Sequence, residues 1–472
     1  MAYSNTPTEA ALRSINEAGH TPFWLDDPQR PHSEPELTQE ISTSLLIIGG
    51  GFTGLWTALQ AKEEDPSREV VLLEGSEIAS GASGRNGGFV DESLTHGVQN
   101  GLNRWPDEYP KLLALGMDNL DAIEATVRRL AIDCDFLRGG DMSMASEPYQ
   151  LEELKEEIET AQRLGIEFEY YDRQQVQDIV RSPFFIGALN RPRTSALVNP
   201  AQLAWGLRKA CIGLGVRIHE HSPVTNLEQD HNSIIARTPH GRVRAACVAL
   251  ATNAYPPLLR RLRHYVVPVY DYALITEPLT PAQRESIGWY GREGLSDVSR
   301  NFHYSRTTAD GRILWGGYDA VYYWNNGFGA HLENSPLMFA RLATHFFQVF
   351  PQLEGLRFTH AWGGAIDTCS RYSPFWGTTH HGRTAYVMGY TGLGVGASRF
   401  GARVLLDLLD GRQAERTQLE MVRTKPIPFP PEPLRSIGIQ ITRWSMEQAD
   451  RNQGRENLWL KAMDWLGLGF DS

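Results

Sequence analysis

Between Ser44 and Gly54 the chain reads SLLIIGGGFTG, and this stretch constrains the fold more than any other. Leu45 to Ile48 is a short apolar run of the kind that forms a strand buried on both faces. Gly49, Gly51 and Gly54 follow in G-x-G-x-x-G spacing, with Phe52 and Thr53 between the last two. LWTALQAKEE then predicts a helix, and REVVLLEG predicts a second buried strand ending at Glu74. Each glycine has a mechanical reason. Gly49 permits a tight turn, Gly51 lets the backbone approach a pyrophosphate, and Gly54 lets helix and strand pack closely. The helix start offers free N–H groups and a positive dipole end to phosphates. Glu74 is placed to accept hydrogen bonds from a ribose hydroxyl and to repel a 2′-phosphate. Strand, glycine loop, helix, strand and terminal acid in this order predict a dinucleotide site.

A second glycine-rich loop, ASGASGRNGGF, follows Glu74 almost at once. A nicotinamide dinucleotide gives no reason for it. A permanently bound flavin is larger and needs main chain close to both its pyrophosphate and its ring, so FAD is the expected cofactor. Ala82, Ser83 and the amides around Gly84 are candidates for the phosphate. Arg85 and Asn86 are candidates to reach the isoalloxazine or the substrate, with Gly87 and Gly88 clearing side chains from the ring's path. The competing reading is a plain glycine loop with Arg85 in solvent.

The run IIGGGFTGLWTAL…VVLLEGSEIASGASGRNGGF resembles the FAD-dependent D-amino-acid oxidase superfamily, which includes glycine and sarcosine oxidases and D-amino-acid dehydrogenases. The form GASGRNGG is most similar to the γ-glutamylputrescine-oxidase-like branch. The resemblance runs over about residues 20–410, with its motifs in the family's order. It implies that Val224 touches the adenine side, that Ala251 and Thr252 in VALATNAY close over the cofactor, and that AYVMGYTGLGVGASRFGARVLLDLL is the last FAD segment. In that segment a strand, a glycine loop and a helix again aim N–H groups at an anion. The resemblance makes the anion flavin N1/C2=O, with Gly389, Thr391, Gly392, Leu393 and Gly394 as candidates. It also implies hydride transfer from a C–N carbon to flavin N5, giving an imine that hydrolyses.

These segments predict an α/β and α+β architecture. A discontinuous Rossmann-type FAD domain of glutathione-reductase type (40–95, 196–264, 356–411) alternates with a substrate domain on a largely antiparallel sheet (96–195, 265–355). An N-terminal arm (1–39) anchored by Phe23 and Trp24, and a C-terminal extended stretch with helices (412–472), flank them. The latter are expected to pack back on the body or to form a homo-oligomer contact.

Substrate-site candidates come from the second insertion. Tyr304 and Arg306 share one strand face and His303 takes the other. Arg306 is either a carboxylate partner or a hairpin-edge ion pair. In HAWGGAID, Trp362 and Gly364 are expected beside the flavin, and His360 or Asp367 is a candidate to deprotonate an amine, each with a structural alternative. The sarcosine-oxidase branch places a lysine beside the flavin for reaction with oxygen, yet this chain has no lysine between Lys209 and Lys425. The acceptor is therefore oxygen or another oxidant. Cys369 does not match the branch's flavin-linking cysteine, so non-covalent FAD is expected. Cys134, Cys211, Cys247 and Cys369 form no metal-type spacing, and no metal is expected. The net charge of −11 argues against a nucleic-acid partner. No signal peptide or membrane-length apolar run is visible, so a cytoplasmic protein without a membrane partner is expected. The functional expectation is an FAD-dependent amine or amino-acid oxidase or dehydrogenase. The alternatives are oxidation of an alcohol or phosphorylated polyol, and a non-catalytic flavin-binding subunit.

Overall fold

Two large sheets divide the chain. The computed structural model describes residues 3–469, so positions 1–2 and 470–472, the ends of the arm and of the C-terminal segment, lie outside the described residues. The first sheet has eight strands. Its main path runs Phe375–Thr379, Thr384–Met388, Arg242–Leu250, Glu40–Ile48, Val70–Leu73, Arg217–His219. Glu40–Ile48 sits between two parallel neighbours, pairing Leu45 with Val70 on one side and with Cys247 on the other. That position explains the apolar run. Leu45 and Ile47 enter the core with Leu55 and Leu59 of the helix Phe52–Glu64, whereas Leu46 and Ile48 enter the opposite core with Ile234 and Val243. The helix Gly394–Leu409 packs against Phe52–Glu64, so two helix starts lie on the same side of the sheet.

The second sheet has nine strands and is antiparallel except where Gly294–Asp297 runs beside Asp141–Ala145. Its central strand, Val267–Thr276, alternates in allegiance. Tyr270, Tyr272 and Leu274 pack toward the helix Pro336–Val349, while Ala273 and Ile275 join the FAD-domain core together with Leu314 and Trp362. One face of this sheet thus closes against the first domain.

Two segments differ from expectation, and a third, at the C-terminal end, takes one of its two expected arrangements. The strand Phe358–Thr368, assigned from sequence to the FAD segment 356–411, pairs with Val267–Thr276 from Val267↔Thr368 to Thr276↔Phe358, and the first sheet resumes only at Phe375–Thr379. An eleven-residue strand that matches the edge of a ten-residue neighbour satisfies its backbone there. The N-terminal arm contains the helix Glu9–Ser14, which packs on Pro336–Val349 and buries Ala11 completely. At the other end, the helices Leu434–Arg451 and Leu458–Trp465 fold back on the body. Glu432 accepts the Tyr322 hydroxyl at 2.6 Å, Arg443 pairs with Asp319 at 2.5 Å, and Asp450 accepts the amides of Arg300 and Asn301. Among the described residues, no helix is long and apolar enough to cross a membrane, and no His/Cys/Asp/Glu cluster is arranged to hold a metal.

Candidate active site

A cavity of about 1780 Å³ lies between the two sheets. Gly49, Gly51, Phe52, Thr53 and Glu74 form part of one wall. Gly49 has φ +112°, and a Cβ there would overlap the Ala251 carbonyl oxygen. A Cβ on Gly54, behind the wall, would overlap the Gly49 carbonyl oxygen, so this glycine permits close helix–strand contact. At Gly51 the neighbour is Ser83 Oγ, 2.8 Å from an added Cβ. Ser83 Oγ accepts the Phe52 N–H at 2.9 Å, at the start of a helix whose own N-cap, Gly51, supplies no side chain. The Glu74 carboxylate accepts the amides of Gly50 (2.6 Å) and Ser76 (2.8 Å), and burial raises its pKa above the usual range.

The second glycine loop crosses the cavity from one sheet to the other. Ala82–Gly84 forms a 3-10 turn, and Ala82, Ser83, Arg85 and Asn86 reach the wall. Asn86 is spent inside its own loop. Its amide donates to the carbonyls of Ala82 (2.9 Å) and Ser83 (3.0 Å) and its oxygen accepts the Gly88 N–H (2.8 Å). A loop this rich in glycine needs such internal bonds to hold one shape. Arg85 donates from Nε to the Ser80 carbonyl and from Nη1 to the Gly363 carbonyl, and pairs with Glu333 at 2.6 Å. Trp362 returns a bond from Nε1 to the Arg85 carbonyl at 2.8 Å, and Gly364 lies beside the Arg85 side chain. Gly84 and Gly88 sit behind the wall, where a Cβ would overlap the carbonyl oxygens of Ala79 and Val198.

Val224, Ala251 and Thr252 also line the cavity, as do Thr391, Gly392, Leu393 and Gly394. The helix Gly394–Leu409 starts there without a side-chain cap, so its first N–H groups are free for an anion. Nothing lies within 4 Å of a Cβ placed on Gly392. Gly389 supports this loop from behind, and its N–H donates to Asp367 at 2.6 Å. Burial pushes the Asp367 carboxyl up to about 7.

The second sheet contributes Tyr304, Trp362 and a residue that motif reading does not single out, Asp271. The Tyr304 ring lies between two glycines. A Cβ on Gly316 would fall 2.5 Å from its hydroxyl end, and one on Gly87 would fall 2.8 Å from its ring edge. With both positions bare, the ring crosses the strand Ile313–Gly317, and its hydroxyl donates to Asp271 Oδ2 at 2.7 Å. Asp271 Oδ1 accepts the Tyr272 N–H at 2.8 Å, and burial pushes the carboxyl up to about 6. Period-two counting would have isolated Asp271, because its neighbours on that strand face are Val267, Val269, Ala273 and Ile275. Asp91 and Glu92 also line the cavity, both held above the usual carboxylate range by burial. So do Ile437 and Ile441 of the C-terminal helix.

Three expected catalytic residues are elsewhere. His303 points away from the cavity into the second core. It is bonded through Nδ1 to Asp297 (2.9 Å) and through Nε2 to His345 (3.0 Å) and stacks on Trp315, so strand alternation puts it on the wrong face. Arg306 shares the face of Tyr304 but lies beneath the glycine loop, fully buried. Its Nη1 donates to the carbonyls of Gly88 (3.2 Å) and Val198 (2.6 Å), and its guanidinium lies over the Trp24 ring. His360 contacts the N-terminal arm, with Nε2 3.1 Å from Asp26 and its ring against Phe23. Cys369 is buried, with Sγ donating to the Ser373 carbonyl at 3.1 Å, and it is not part of the cavity wall.

A two-ended dinucleotide cradle closed by an antiparallel sheet defines a flavin-type oxidoreductase fold. Residues 44–408 match the family model described as FAD dependent oxidoreductase, and the chain belongs to that DAO family. It is 31% identical over 394 residues to the gamma-glutamylputrescine oxidoreductase of Escherichia coli K12, covering 80% of this chain and 86% of that one. It is 28% identical over 402 residues to a probable oxidoreductase OrdL of Haemophilus influenzae, covering 82% and 88%. The crystal structure of glycine oxidase from Geobacillus kaustophilus superposes with a TM-score of 0.69 at 16% identity, covering 82% of this chain and all of that one. The cofactor is FAD. The cavity fits it on its own terms, because bare main chain at Gly49, Gly51 and Gly392 and two helix starts, the one at Gly394 without a side-chain cap, provide for a long, anionic, planar ligand.

Proposed function

We propose that the chain oxidises the C–N bond of an amine or amino acid, giving an imine that hydrolyses to a carbonyl compound and an amine or ammonia. The observation that carries this reading is the single cavity in which the FAD cradle faces Tyr304, Trp362 and Asp271. Similarity to a gamma-glutamylputrescine oxidoreductase supports it. FAD, bound non-covalently, supplies the two-electron acceptor. The protein's own part is positional and electrostatic. The N–H groups of Gly392 and Gly394 and the helix behind them stabilise negative charge at the end of the cradle, the Leu393 N–H being bonded to the Tyr390 carbonyl. Trp362 and Arg85 fix the glycine loop against the second sheet, so that the substrate enters from the side of Tyr304. Arg85, the cation of the second glycine loop, is already neutralised by Glu333, and no lysine occurs between Lys209 and Lys425, which supports an acceptor other than oxygen.

The test is an anaerobic screen. Amines and amino acids are added to the purified protein while the flavin absorbance is followed. Bleaching by an amine or amino acid supports the reading; bleaching by a polyol alone, or by none, overturns it. Peroxide formation compared with dye reduction then assigns the acceptor.

A further inference from the structure

In the second core a line of hydrogen bonds ends on a main-chain carbonyl. The Ser4 carbonyl can only accept, so His345 Nε2, 3.0 Å away, carries a hydrogen. A neutral His345 then has a bare Nδ1, and His303 Nε2, 3.0 Å from it, carries a second hydrogen. His303 Nδ1 in turn faces Asp297 Oδ2 at 2.9 Å, and a third hydrogen lies between them, on the ring or on the carboxyl. The line needs three hydrogens where a carboxylate and two neutral imidazoles supply two. The count is the same wherever the extra proton rests. Turning either ring over would cost both bonds of that ring. Asp297 Oδ2 also accepts the His303 main-chain N–H (3.1 Å) and the Tyr3 hydroxyl (2.7 Å), which fixes its place. Both rings and the acid are buried. Among the described residues Asp297 pairs with no lysine or arginine and its Oδ1 has no partner, which favours keeping a proton. The charges nearby are already committed. Arg341, on the helix Pro336–Val349, pairs with Asp319, and Arg300 pairs with Glu456. From the helix Leu434–Arg451, Asp450 accepts the amides of Arg300 and Asn301, and Glu447 pairs with Arg451. The remaining titratable neighbours are the hydroxyls of Tyr3 and Tyr318, both raised by burial.

This line holds the N-terminal tip. The Tyr3 ring covers both imidazoles, 4.3 Å from His303 and 4.7 Å from His345. The Ser4 N–H donates to Gln348 at 3.0 Å, and the Asn5 amide donates to Glu447 of the C-terminal helix at 2.8 Å. That helix lines the cavity through Ile437 and Ile441. We propose that Asp297, His303 and His345 share one extra proton that clasps residues 3–5 to the body, and that its loss at alkaline pH releases them from the C-terminal helix. The clasp is independent of the amine-oxidising reading. A proton leaves His345 Nε2 for water, the hydrogen on His303 Nε2 moves to His345 Nδ1, and the third stays on His303 Nδ1 against the Asp297 carboxylate. His345 Nε2 then turns a lone pair to the Ser4 carbonyl, and a bond becomes a repulsion. With the tip released, water reaches the rings, which hold two hydrogens above their ordinary pKa of about 6.5. The clasped state holds three, so its stability is present at neutral pH and lost as pH rises. Burial lowers both imidazoles, His345 to about 2, so toward acid the released rings charge first and the clasp weakens there too. The tip is held most tightly near neutral pH.

The test follows hydrogen exchange of the peptide covering residues 3–12 in the full-length FAD-containing protein. Rates are expressed as protection factors, which remove the intrinsic pH dependence of exchange. In the parent, protection is expected to fall at least tenfold from pH 7 to pH 10. An asparagine cannot carry the third hydrogen while its oxygen accepts from Tyr3 and the His303 N–H. Asp297→Asn should therefore lie at least tenfold below the parent at pH 7 and stay flat as pH rises. A glutamine supplies an N–H to Ser4 and an oxygen to His303, so His345→Gln should keep parental protection at pH 7, whereas His345→Leu should lose it. Should D297N fail to fold, NMR of the parent labelled with 15N-histidine decides. The His345 ring, assigned by its absence in H345Q, is expected with its hydrogen on Nε2 at pH 7. The proposal is overturned by parental protection that is unchanged between pH 7 and 10, by a parental pH profile in D297N, by equal protection in H345Q and H345L, or by a His345 hydrogen on Nδ1 alone at pH 7.

Discussion

The two walls of the cavity recognise their ligands in different ways. On the side of the glycine loops the cavity is lined by main chain left bare at Gly49, Gly51 and Gly392, with Gly54 packed behind it. On the side of the second sheet it is lined by side chains, Asp271 and Tyr304 among them, placed by cross-strand register. At Gly49 and Gly54 a single Cβ meets backbone that cannot move, at Gly51 it meets Ser83 Oγ, and at Gly392 the space is open and only the positive φ opposes a side chain. Side-chain recognition can be altered one group at a time without loss of the fold. The first kind sets which cofactor is bound, and the second sets what is done with it.

The contrast predicts a graded series of effects. The largest is expected from Gly54→Val, whose Cβ would overlap the Gly49 carbonyl oxygen. The variant should be recovered without flavin or in inclusion bodies, read as FAD released per chain. Next is Asp367→Asn. Burial raises the Asp367 carboxyl from its ordinary value of 3.8 to about 7, so the folded chain holds this proton more tightly than the unfolded chain. The stability it contributes is present below about pH 4 and is lost as pH rises toward 7. The asparagine variant should therefore gain on the parent by roughly 3 kcal/mol between pH 5 and 8 in urea unfolding. A parallel pH dependence would show that Asp367 remains ionised. Arg306→Met should cost about 2 kcal/mol, because two buried carbonyls lose a charged donor while one buried charge is removed. Its KM for amines should move less than threefold, whereas a large rise in KM would return Arg306 to the substrate site. The smallest effect is expected at His360→Ala, with rates within twofold and stability within about 1 kcal/mol, since its partner Asp26 is exposed.

How much of this was readable from sequence follows the same division. The glycine loops of the cavity wall were visible because close backbone approach demands glycine; Gly49, Gly51, Gly364, Gly392 and Gly394 line the cavity, whereas Gly54, Gly84, Gly87, Gly88 and Gly389 are not among its lining residues. Asn86 is the instructive departure. It belongs to the motif but serves the loop's own shape rather than the ring. On the substrate wall, strand alternation correctly separated Tyr304 from His303, yet it cannot say how far along the face the cavity extends. Arg306 shares the face and falls under the glycine loop. His360 shares the face of Trp362 and meets the N-terminal arm, whose path no local pattern predicts. Asp271 was visible as an acid on an otherwise apolar strand face, but its meaning depends on Tyr304, 33 residues away, crossing Gly316 to reach it. The strand Phe358–Thr368 was assigned to the neighbouring domain for a similar reason, since sheet membership depends on a partner distant in sequence.

FAD is expected to be held without a covalent bond, with Cys369 buried behind Gly389 and taking no part. Acid precipitation of the purified protein tests it most directly. One FAD per chain should appear in the clear supernatant and none with the pellet. Yellow colour that stays with the precipitated polypeptide, or a supernatant free of FAD, would contradict it.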